Sequence, residues 1–200
     1  MPHDLLFRQI AIGITATILA ISVYYRRRAD KAGGTMRRDD EPAALRAGLG
    51  VSGLMGFGGL LVYFIRPSTL AWSMVDLPLW LRWAGVCLAG AGVAGALWIF
   101  RTLGHNVSRT ARTREHASLV TTGPYRFIRH PLYVNAAMVF AALSLITRSW
   151  WFVAWIVPAL LLLAIRTRQE EANLEAKFGH AWVAYAARTG RFLPRLALMK

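Results

Sequence analysis

Two short clusters of polar side chains stand at the edges of long apolar runs, and their residue types are suited to binding charged groups. The first cluster holds Arg129, His130 and Tyr133, with Pro131 among them. Proline suits the first turn of a helix, where its missing N–H costs nothing. These residues are therefore expected at the start of a helix, with Tyr133 three residues beyond His130 and on a similar face.

The second cluster follows a later apolar run and contains Arg166, Arg168, Glu170 and Glu171. Arg166 and Glu170 are four residues apart, so they share one face of a helix. Only Arg148 separates the apolar run before this cluster from the run that starts at Pro131. These two runs predict a tight helical hairpin, which would bring both clusters to one polar site.

Each of these residues also has a purely structural interpretation. Arginine and histidine near helix ends commonly reach lipid headgroups, and tyrosine commonly lies in an aromatic belt. The glutamates could pair with Arg166 and Arg168 as helix neighbours, although carboxylates gain nothing from an anionic leaflet. The convergence of the whole set favours a functional site.

The elements that must position these clusters are apolar and predict an integral membrane protein. Of the 200 residues, 56% are hydrophobic and 17% are charged, whereas soluble domains carry roughly a quarter charged residues. Five uncharged runs have a length close to that needed to cross a bilayer. They cover residues 9–25, 47–65, 83–100, 131–147 and 149–165. The predicted fold is all-α, a polytopic membrane protein with about five transmembrane helices.

The two ends of the chain also carry structural signals. An aromatic pair and three arginines follow the first run at residues 24–28, without an Ala-x-Ala-like site, so this run is expected to be a retained span and not a cleaved signal. Residues 167–188 predict a cytoplasmic C-terminal helix that continues the fifth span. Gly179 is expected to interrupt this helix, and Gly190 with Pro194 to end it.

Lysine and arginine fall on alternate connecting segments. Residues 26–46 contain seven, 101–130 six and 166–200 seven, whereas 67–81 contain none and 1–8 contain one. Positive loops stay on the cytoplasmic side, so the polar site is expected to face the cytoplasm, with the N-terminus outside, in the inner membrane of a bacterium. The formal net charge of +14 is thus attributed to topology and to contacts with membrane lipids, and no nucleic-acid partner is expected.

Small residues are concentrated in the second and third runs, where they would let helices pack closely in lipid. They include Gly48, Gly50, Gly53, Gly56, Gly58, Gly59, Gly85, Gly90, Gly92 and Gly95. No glycine pattern of the phosphate-binding type follows a strand-like segment. The lone Cys87 excludes an intrachain disulfide and a cysteine-based metal cluster, and no metal site is predicted.

The polar clusters carry a family likeness. Residues 119–133, Leu-Val-Thr-Thr-Gly-Pro-Tyr-Arg-Phe-Ile-Arg-His-Pro-Leu-Tyr, resemble the signature of the isoprenylcysteine carboxyl methyltransferases and their phospholipid N-methyltransferase relatives. Residues 166–185 resemble the glutamate pair and the Phe-Gly-x-x-(Trp/Tyr)-x-x-Tyr pattern that closes that domain. The likeness covers about residues 101–195. We therefore expect a scaffold of three transmembrane helices in residues 1–100 and a methyltransferase-type catalytic region in residues 101–200.

The resemblance implies that S-adenosylmethionine binds on the cytosolic side in a pocket built from these segments. Glu170 would hold a polar group of the cofactor, and Arg166 would hold the carboxylate of the substrate. The implied cofactor-binding residues are Leu119, Val120, Tyr125, His130, Pro131, Tyr133 and Glu170. The candidate catalytic residues are Arg166, His130 and Tyr133.

The sequence departs from the family pattern at two places. The family often has histidine two residues before the Leu-Val pair, whereas here His116 is three before it and Ala117 holds the matching place. Position 135, often glycine in the pattern, is Asn135. This change could reshape the pocket or add a substrate contact.

The leading hypothesis is S-adenosylmethionine-dependent methyl transfer to a lipophilic acceptor, such as the carboxylate of an isoprenylcysteine-like or other prenylated substrate. Such an in-line displacement mainly needs alignment, which can supply ~7–11 kcal/mol of the barrier. An arginine that positions the carboxylate would suffice. The alternatives are a phospholipid amine N-methyltransferase, an NADPH-dependent membrane sterol or enone reductase, and a non-enzymatic accessory protein whose polar rim binds headgroups.

Overall fold

The computed structural model describes residues 3–33, 42–107 and 118–195, and these residues form helices and connecting turns. Three short 3-10 helices, Pro67–Ser73, Gly104–Asn106 and Gly123–Arg126, lie in the connections. The α-helices are α1 (Asp4–Gly33), α2 (Ala43–Ile65), α3 (Leu79–Leu103), α4 (Pro131–Thr147), α5 (Trp151–Phe178) and α6 (His180–Arg188).

The helices α1, α2, α3 and α5 are long and apolar enough to cross a membrane, and α4 is a shorter apolar helix of 17 residues. A helix satisfies its backbone hydrogen bonds internally, which is the requirement that lipid imposes on a spanning segment. The predicted all-α membrane fold is therefore confirmed, with α4 as its shortest apolar helix. The chain is an integral membrane protein.

The helices run further than the apolar runs that predicted them. α1 continues through the arginines at 26–28 to Gly33, and α5 continues beyond residue 165 to Phe178. Hydropathy indicates where a helix leaves the membrane. The helix continues beyond that point because arginine and glutamate are good helix formers. The predicted interruption is confirmed, because Gly179 has a φ of 52° and separates α5 from α6.

Glycines bring α3 against α4. A Cβ added at Gly92 would lie 2.6 Å from Cγ2 of Val139, and one at Gly85 would lie 2.8 Å from Cβ of Leu145. These distances leave no room for a side chain, so the packing role predicted for these glycines is confirmed. A Cβ at Gly90, by contrast, would meet no atom of another described residue within 4 Å.

The turn between α4 and α5 is fixed by the loop that follows α2. Arg148 has a φ of 61° and ends α4 in the left-handed conformation. The backbone N–H of Val75 donates to the carbonyl of Arg148 at 2.8 Å, and that of Trp150 donates to the carbonyl of Ser73 at 3.1 Å. This turn makes α4 and α5 the tight hairpin that the sequence predicts.

Arg82 lies inside α3, although the third apolar run begins one residue after it. Its side chain is buried, and its Nη1 lies 2.8 Å from Oδ1 of Asp4. Nε and Nη2 donate to the carbonyl of Ile146 at 3.2 and 3.1 Å. The charge is thus matched by a carboxylate and by the free carbonyl end of α4, which is how a buried arginine is tolerated.

Candidate active site

The start of α4 presents one side of the site. His130 is the residue before the helix and Pro131 is its first residue, as the sequence predicts. The rings of His130 and Tyr133 are stacked, with centroids 5.6 Å apart and planes 2° apart. The fixed φ of proline suits the first turn, and the stacked rings hold each other's orientation.

The facing side of the site comes from α5. Arg166 is buried, and its Nε lies 3.2 Å from Oε1 of Glu170 one turn further along the helix. The Tyr133 hydroxyl donates to the same Oε1 at 2.9 Å. Nδ1 of His130 lies 3.6 Å from the other carboxylate oxygen. The two sequence clusters therefore meet at Glu170.

Glu171 forms a second centre beside the first. Its Oε1 accepts from Nε of Arg129 at 3.0 Å and lies 3.0 Å from Nε2 of His130. Arg191 donates to both carboxylate oxygens, at 3.1 and 2.5 Å. A carboxylate only accepts, so His130 directs an N–H at Glu171. His130 thus bridges the two glutamates.

Residues 189–192, here called the C-terminal segment, are docked along the start of α4. The backbone N–H groups of Arg129 and His130 donate to the carbonyls of Gly190 and Arg191 at 2.8 and 3.1 Å. The Arg129 side chain donates to the Thr189 carbonyl, and the Phe192 ring lies 5.7 Å from that of His130. This segment covers one side of His130.

Tyr125 and Tyr185 close the region between the turn at 123–126 and α6. The Tyr185 hydroxyl donates to the carbonyl of Tyr125 at 2.8 Å. Burial, followed by the nearby Tyr185 and Glu170, raises the pKa of the Tyr125 phenol above its usual value. Burial also raises the pKa of Tyr185 to about 12. Both phenols are therefore neutral at pH 7, and the Tyr185 hydroxyl acts as a hydrogen-bond donor.

The remaining residues of the predicted site lie before the turn. Leu119 and Val120 are half-buried. Within the part of the chain that the structure describes, neither forms a hydrogen bond with Glu170 or His130. His116 lies outside the described residues. Asn135 is buried and faces α3, where a Cβ at Gly95 would lie 2.5 Å from its Oδ1. Its larger side chain is thus accommodated by the glycine opposite it.

The arrangement brings together a carboxylate, a guanidinium and aromatic rings at one end of an apolar hairpin. Among the described residues, no group of three His, Cys, Asp or Glu side chains is placed to hold a metal ion. A carboxylate binds amines, a guanidinium binds carboxylates and an aromatic face attracts a cation. These groups suit a small zwitterionic cofactor better than a metal.

The sequence places Glu171 in the second polar cluster but assigns it no binding or catalytic role. Its partners Arg129 and Arg191 are 42 and 20 residues away in the chain. Glu171 directly follows Glu170 in α5, so its side chain points to a different side of the helix and helix spacing does not pair it with Arg166. The sequence feature that could have indicated a role for Glu171 is its position between the segments of Arg129 and Arg191, both of which lie within the family likeness.

A family model for phospholipid methyltransferases matches residues 80–181. The nickel-cobalt-cadmium resistance protein NccN of Alcaligenes xylosoxydans xylosoxydans is 36% identical over 87 residues, which are 44% of this chain and 41% of that protein. The cobalt-zinc-cadmium resistance protein CzcN of Cupriavidus metallidurans is 34% identical over 87 residues, which are 44% of this chain and 40% of that protein. The chain thus spans about two fifths of the length of these relatives.

The fold also matches a solved structure, that of a eukaryotic intramembrane Ras methyltransferase, isoprenylcysteine carboxyl methyltransferase. The match has a TM-score of 0.53 and 18% sequence identity, and it covers 93% of this chain and 68% of that one. At this level of identity the match describes the fold.

Proposed function

The chain belongs to the phospholipid methyltransferase family, and from that premise we propose that it is a membrane methyltransferase that transfers a methyl group from S-adenosylmethionine to a lipophilic acceptor. The observation that carries the proposal is the meeting of Tyr133, Arg166 and Glu170 at one end of the α4–α5 hairpin. The catalytic region is assigned to residues 101–200, and residues 1–100 serve as its membrane scaffold.

Families of this type generally use S-adenosylmethionine, and the residues present fit it. In this proposal Glu170 receives the amino group, and the Tyr133 ring lies beside the cationic sulfonium. His130, stacked on Tyr133, holds Glu170 and Glu171 in place at the edge of the pocket. Leu119, Val120 and Tyr125 contribute the loop side of the pocket, and Pro131 fixes the helix start. When bound, the cofactor supplies an electrophilic methyl group.

The acceptor we propose is a carboxylate on a prenylcysteine-like lipid. Arg166 is buried and directly follows the apolar run of α5, where a guanidinium can orient a carboxylate through two hydrogen bonds. A carboxylate is already nucleophilic at neutral pH, so the residues only need to align it and exclude water. No general base is required for this step.

A lipid amine is the second candidate acceptor. It is favoured by the family's own description as phospholipid methyltransferases and by the two glutamates of α5. An amine must lose a proton to become nucleophilic, and a carboxylate near it can accept that proton. In this version Glu170 faces the acceptor, and Arg166 holds Glu170 in place.

The membrane orientation forms part of the proposal. The start of α4 and the end of α5 lie on the side that carries most of the lysines and arginines. By the positive-inside rule this side is cytoplasmic, in the inner membrane of a bacterium. The cofactor then reaches the site from the cytosol and the acceptor reaches it from the bilayer.

A methyl-transfer assay tests the proposal. Purified protein in vesicles is incubated with radiolabelled S-adenosylmethionine and either a prenylcysteine or phosphatidylethanolamine, and label is counted in the lipid fraction. Transfer to the prenylcysteine supports the carboxylate version, and transfer to phosphatidylethanolamine supports the amine version. Binding of NADPH in place of the methyl cofactor would instead indicate a reductase.

A further inference from the structure

A pocket that combines charged and apolar residues lies at the opposite end of the bundle from the candidate active site. It lies beside Thr147, the last residue of α4, whereas His130 precedes the first. Seventeen helical residues at 1.5 Å each separate the two ends by about 25 Å. The pocket has a volume of about 250 Å³ and is formed by α1, α2, the loop after α2 and the α4–α5 turn.

The pocket carries more positive than negative charge. Arg8 and Arg148 line it, together with one carboxylate, that of Asp4. Asp4 is paired with Arg82, whose Nη1 lies 2.8 Å from its Oδ1, and with Arg148, whose Nη2 lies 3.6 Å from its Oδ2. The Arg148 side chain also reaches Asp76 at 3.2 Å, but the Asp76 side chain is 95% exposed and such a pair is weak. The one carboxylate of the pocket is thus shared by Arg82 and Arg148, and with Arg8 the pocket keeps an excess of positive charge.

Arg8 is held in place by main-chain oxygens and not by a carboxylate. Its Nη2 donates to the carbonyls of Phe64 and Ile65 at the end of α2. Its Nε is buried and meets no hydrogen-bond acceptor among the described residues. The guanidinium is therefore fixed at the pocket wall by the carbonyl end of α2.

The rest of the lining combines hydroxyls with apolar groups. Tyr63 and Ser68 can donate hydrogen bonds, while Leu5 and Ala71 provide apolar surface. Trp72, the residue after Ala71, makes edge contacts with Trp150 and Trp151 at centroid distances of 5.2 and 5.6 Å. Tryptophan concentrates at the membrane–water interface, which is the depth of the lipid phosphates.

We infer that this pocket binds the phosphodiester headgroup of an anionic phospholipid, from the leaflet opposite the candidate active site. The two guanidinium groups contact the phosphate oxygens, which guanidinium geometry matches well. The apolar wall at Leu5 and Ala71 receives the start of the lipid chains. A free phosphate would satisfy the arginines but not this wall.

Lipid-dependent thermal stability tests this inference. The unfolding midpoint of detergent-purified protein is measured against added dioleoyl phosphatidylglycerol, phosphatidylcholine or inorganic phosphate at matched ionic strength. Four proteins are compared: the wild type, Arg8→Gln, Ala71→Leu, and Arg27→Gln as a control. Arg27 is an exposed arginine at the other end of α1, so the control removes the same charge outside the pocket.

Phosphatidylglycerol is expected to raise the midpoint of the wild type and of Arg27→Gln. Arg8→Gln and Ala71→Leu should each need about tenfold more lipid for half of that shift. Ala71→Leu keeps both arginines and fills the pocket, so it decides the question if Arg8→Gln does not fold. Equal lipid responses in all four proteins would overturn the inference. An equal response to inorganic phosphate would assign the pocket to free phosphate and overturn the lipid assignment.

Discussion

Glu170 and Glu171 are adjacent in the chain but take part in different interactions. Glu170 accepts from Tyr133 and lies beside Arg166, facing the space proposed for cofactor and acceptor. Glu171 is occupied by Arg129 and Arg191, which fix the C-terminal segment. Substitutions at the two positions should therefore have different effects, the first on binding and the second on local structure.

Replacing Arg166 with alanine tests its proposed contact with the acceptor. The variant should lose about 10- to 100-fold in kcat/KM for a carboxylate acceptor, corresponding to the ~1.5–3 kcal/mol of a hydrogen bond to a charged group. The loss should appear mainly in the KM for the acceptor, since the guanidinium binds the substrate before and during transfer. The measurement is steady-state methyl transfer at varied acceptor concentration.

Arg168→Ala is the matched control, because Arg168 is an exposed arginine on the same helix. It should retain the wild-type KM. If Arg166→Ala lowered only the unfolding midpoint and left KM unchanged, Arg166 would be a structural residue.

At the residue scale, the sequence predicts contacts between side chains that lie one helical turn apart. Arg166 and Glu170 are one turn apart, and the hairpin brings Tyr133 to them. The contacts of Glu171 were not predictable in this way. They join three separate segments, and one of them, around Arg191, has no periodic pattern that places it.

At the scale of elements, the C-terminal segment is held by the Glu171 carboxylate and two backbone hydrogen bonds. The Arg129 side chain on the Thr189 carbonyl and the Phe192 ring beside His130 add to this docking. Glu171→Gln should weaken this docking by roughly 1–3 kcal/mol, because the charge-assisted bonds from Arg129 and Arg191 are lost. The amides of Arg129 and His130, which donate to Gly190 and Arg191, should then exchange hydrogen about tenfold faster or more. Hydrogen–deuterium exchange at Arg129 and His130 measures the change.

Glu175→Gln provides the comparison for that experiment. Glu175 is an exposed glutamate one turn further along α5, and its loss should leave the exchange of Arg129 and His130 unchanged. Unchanged exchange in Glu171→Gln as well would show that the C-terminal segment is held without the charge of Glu171.

The contact between α3 and α4 yields a prediction about packing. Gly92→Ala places a methyl group 2.6 Å from Val139, so the helices must separate, at a cost of about 1–3 kcal/mol. Gly90→Ala adds the same group where no described atom lies within 4 Å, and it should be neutral or slightly stabilising. Unfolding midpoints in detergent compare the two, and equal midpoints would contradict close packing at Gly92.

Hydropathy predicts the number of apolar helices and the hairpin, because each apolar run is short, uncharged and bounded by charges or aromatic residues. It does not predict where a helix stops outside the membrane, as the extension of α5 to Phe178 shows. Nor does hydropathy predict which glycines lie against a neighbouring helix. Gly90 and Gly92 are two residues apart and face different surroundings, which only the three-dimensional arrangement decides.

At the scale of the whole molecule, the bundle has a polar cluster at each end and apolar helices between them. The end with Glu170 and Glu171 lies on the side of the highly basic segments, and the end with Asp4 and Arg82 lies on the other side. The proposed membrane orientation therefore also determines which leaflet each cluster faces.

Cysteine labelling tests that orientation in a Cys87→Ser background. Asp76→Cys, whose parent side chain is 95% exposed, should react with a membrane-impermeant maleimide added to intact cells. Ala176→Cys, at an exposed position of α5 beyond the proposed membrane boundary, should react only after the cells are opened. Labelling in the reverse order would place the candidate active site outside the cytoplasm.

The most direct test of the central claim is calorimetric titration of S-adenosylmethionine and S-adenosylhomocysteine into the purified protein, with NADPH for comparison. We predict micromolar binding of both methyl cofactors to the wild type, loss of that binding in Glu170→Ala with folding intact, and its retention in Glu175→Gln. The absence of methyl-cofactor binding to folded wild-type protein, or binding of NADPH instead, would contradict the methyltransferase assignment.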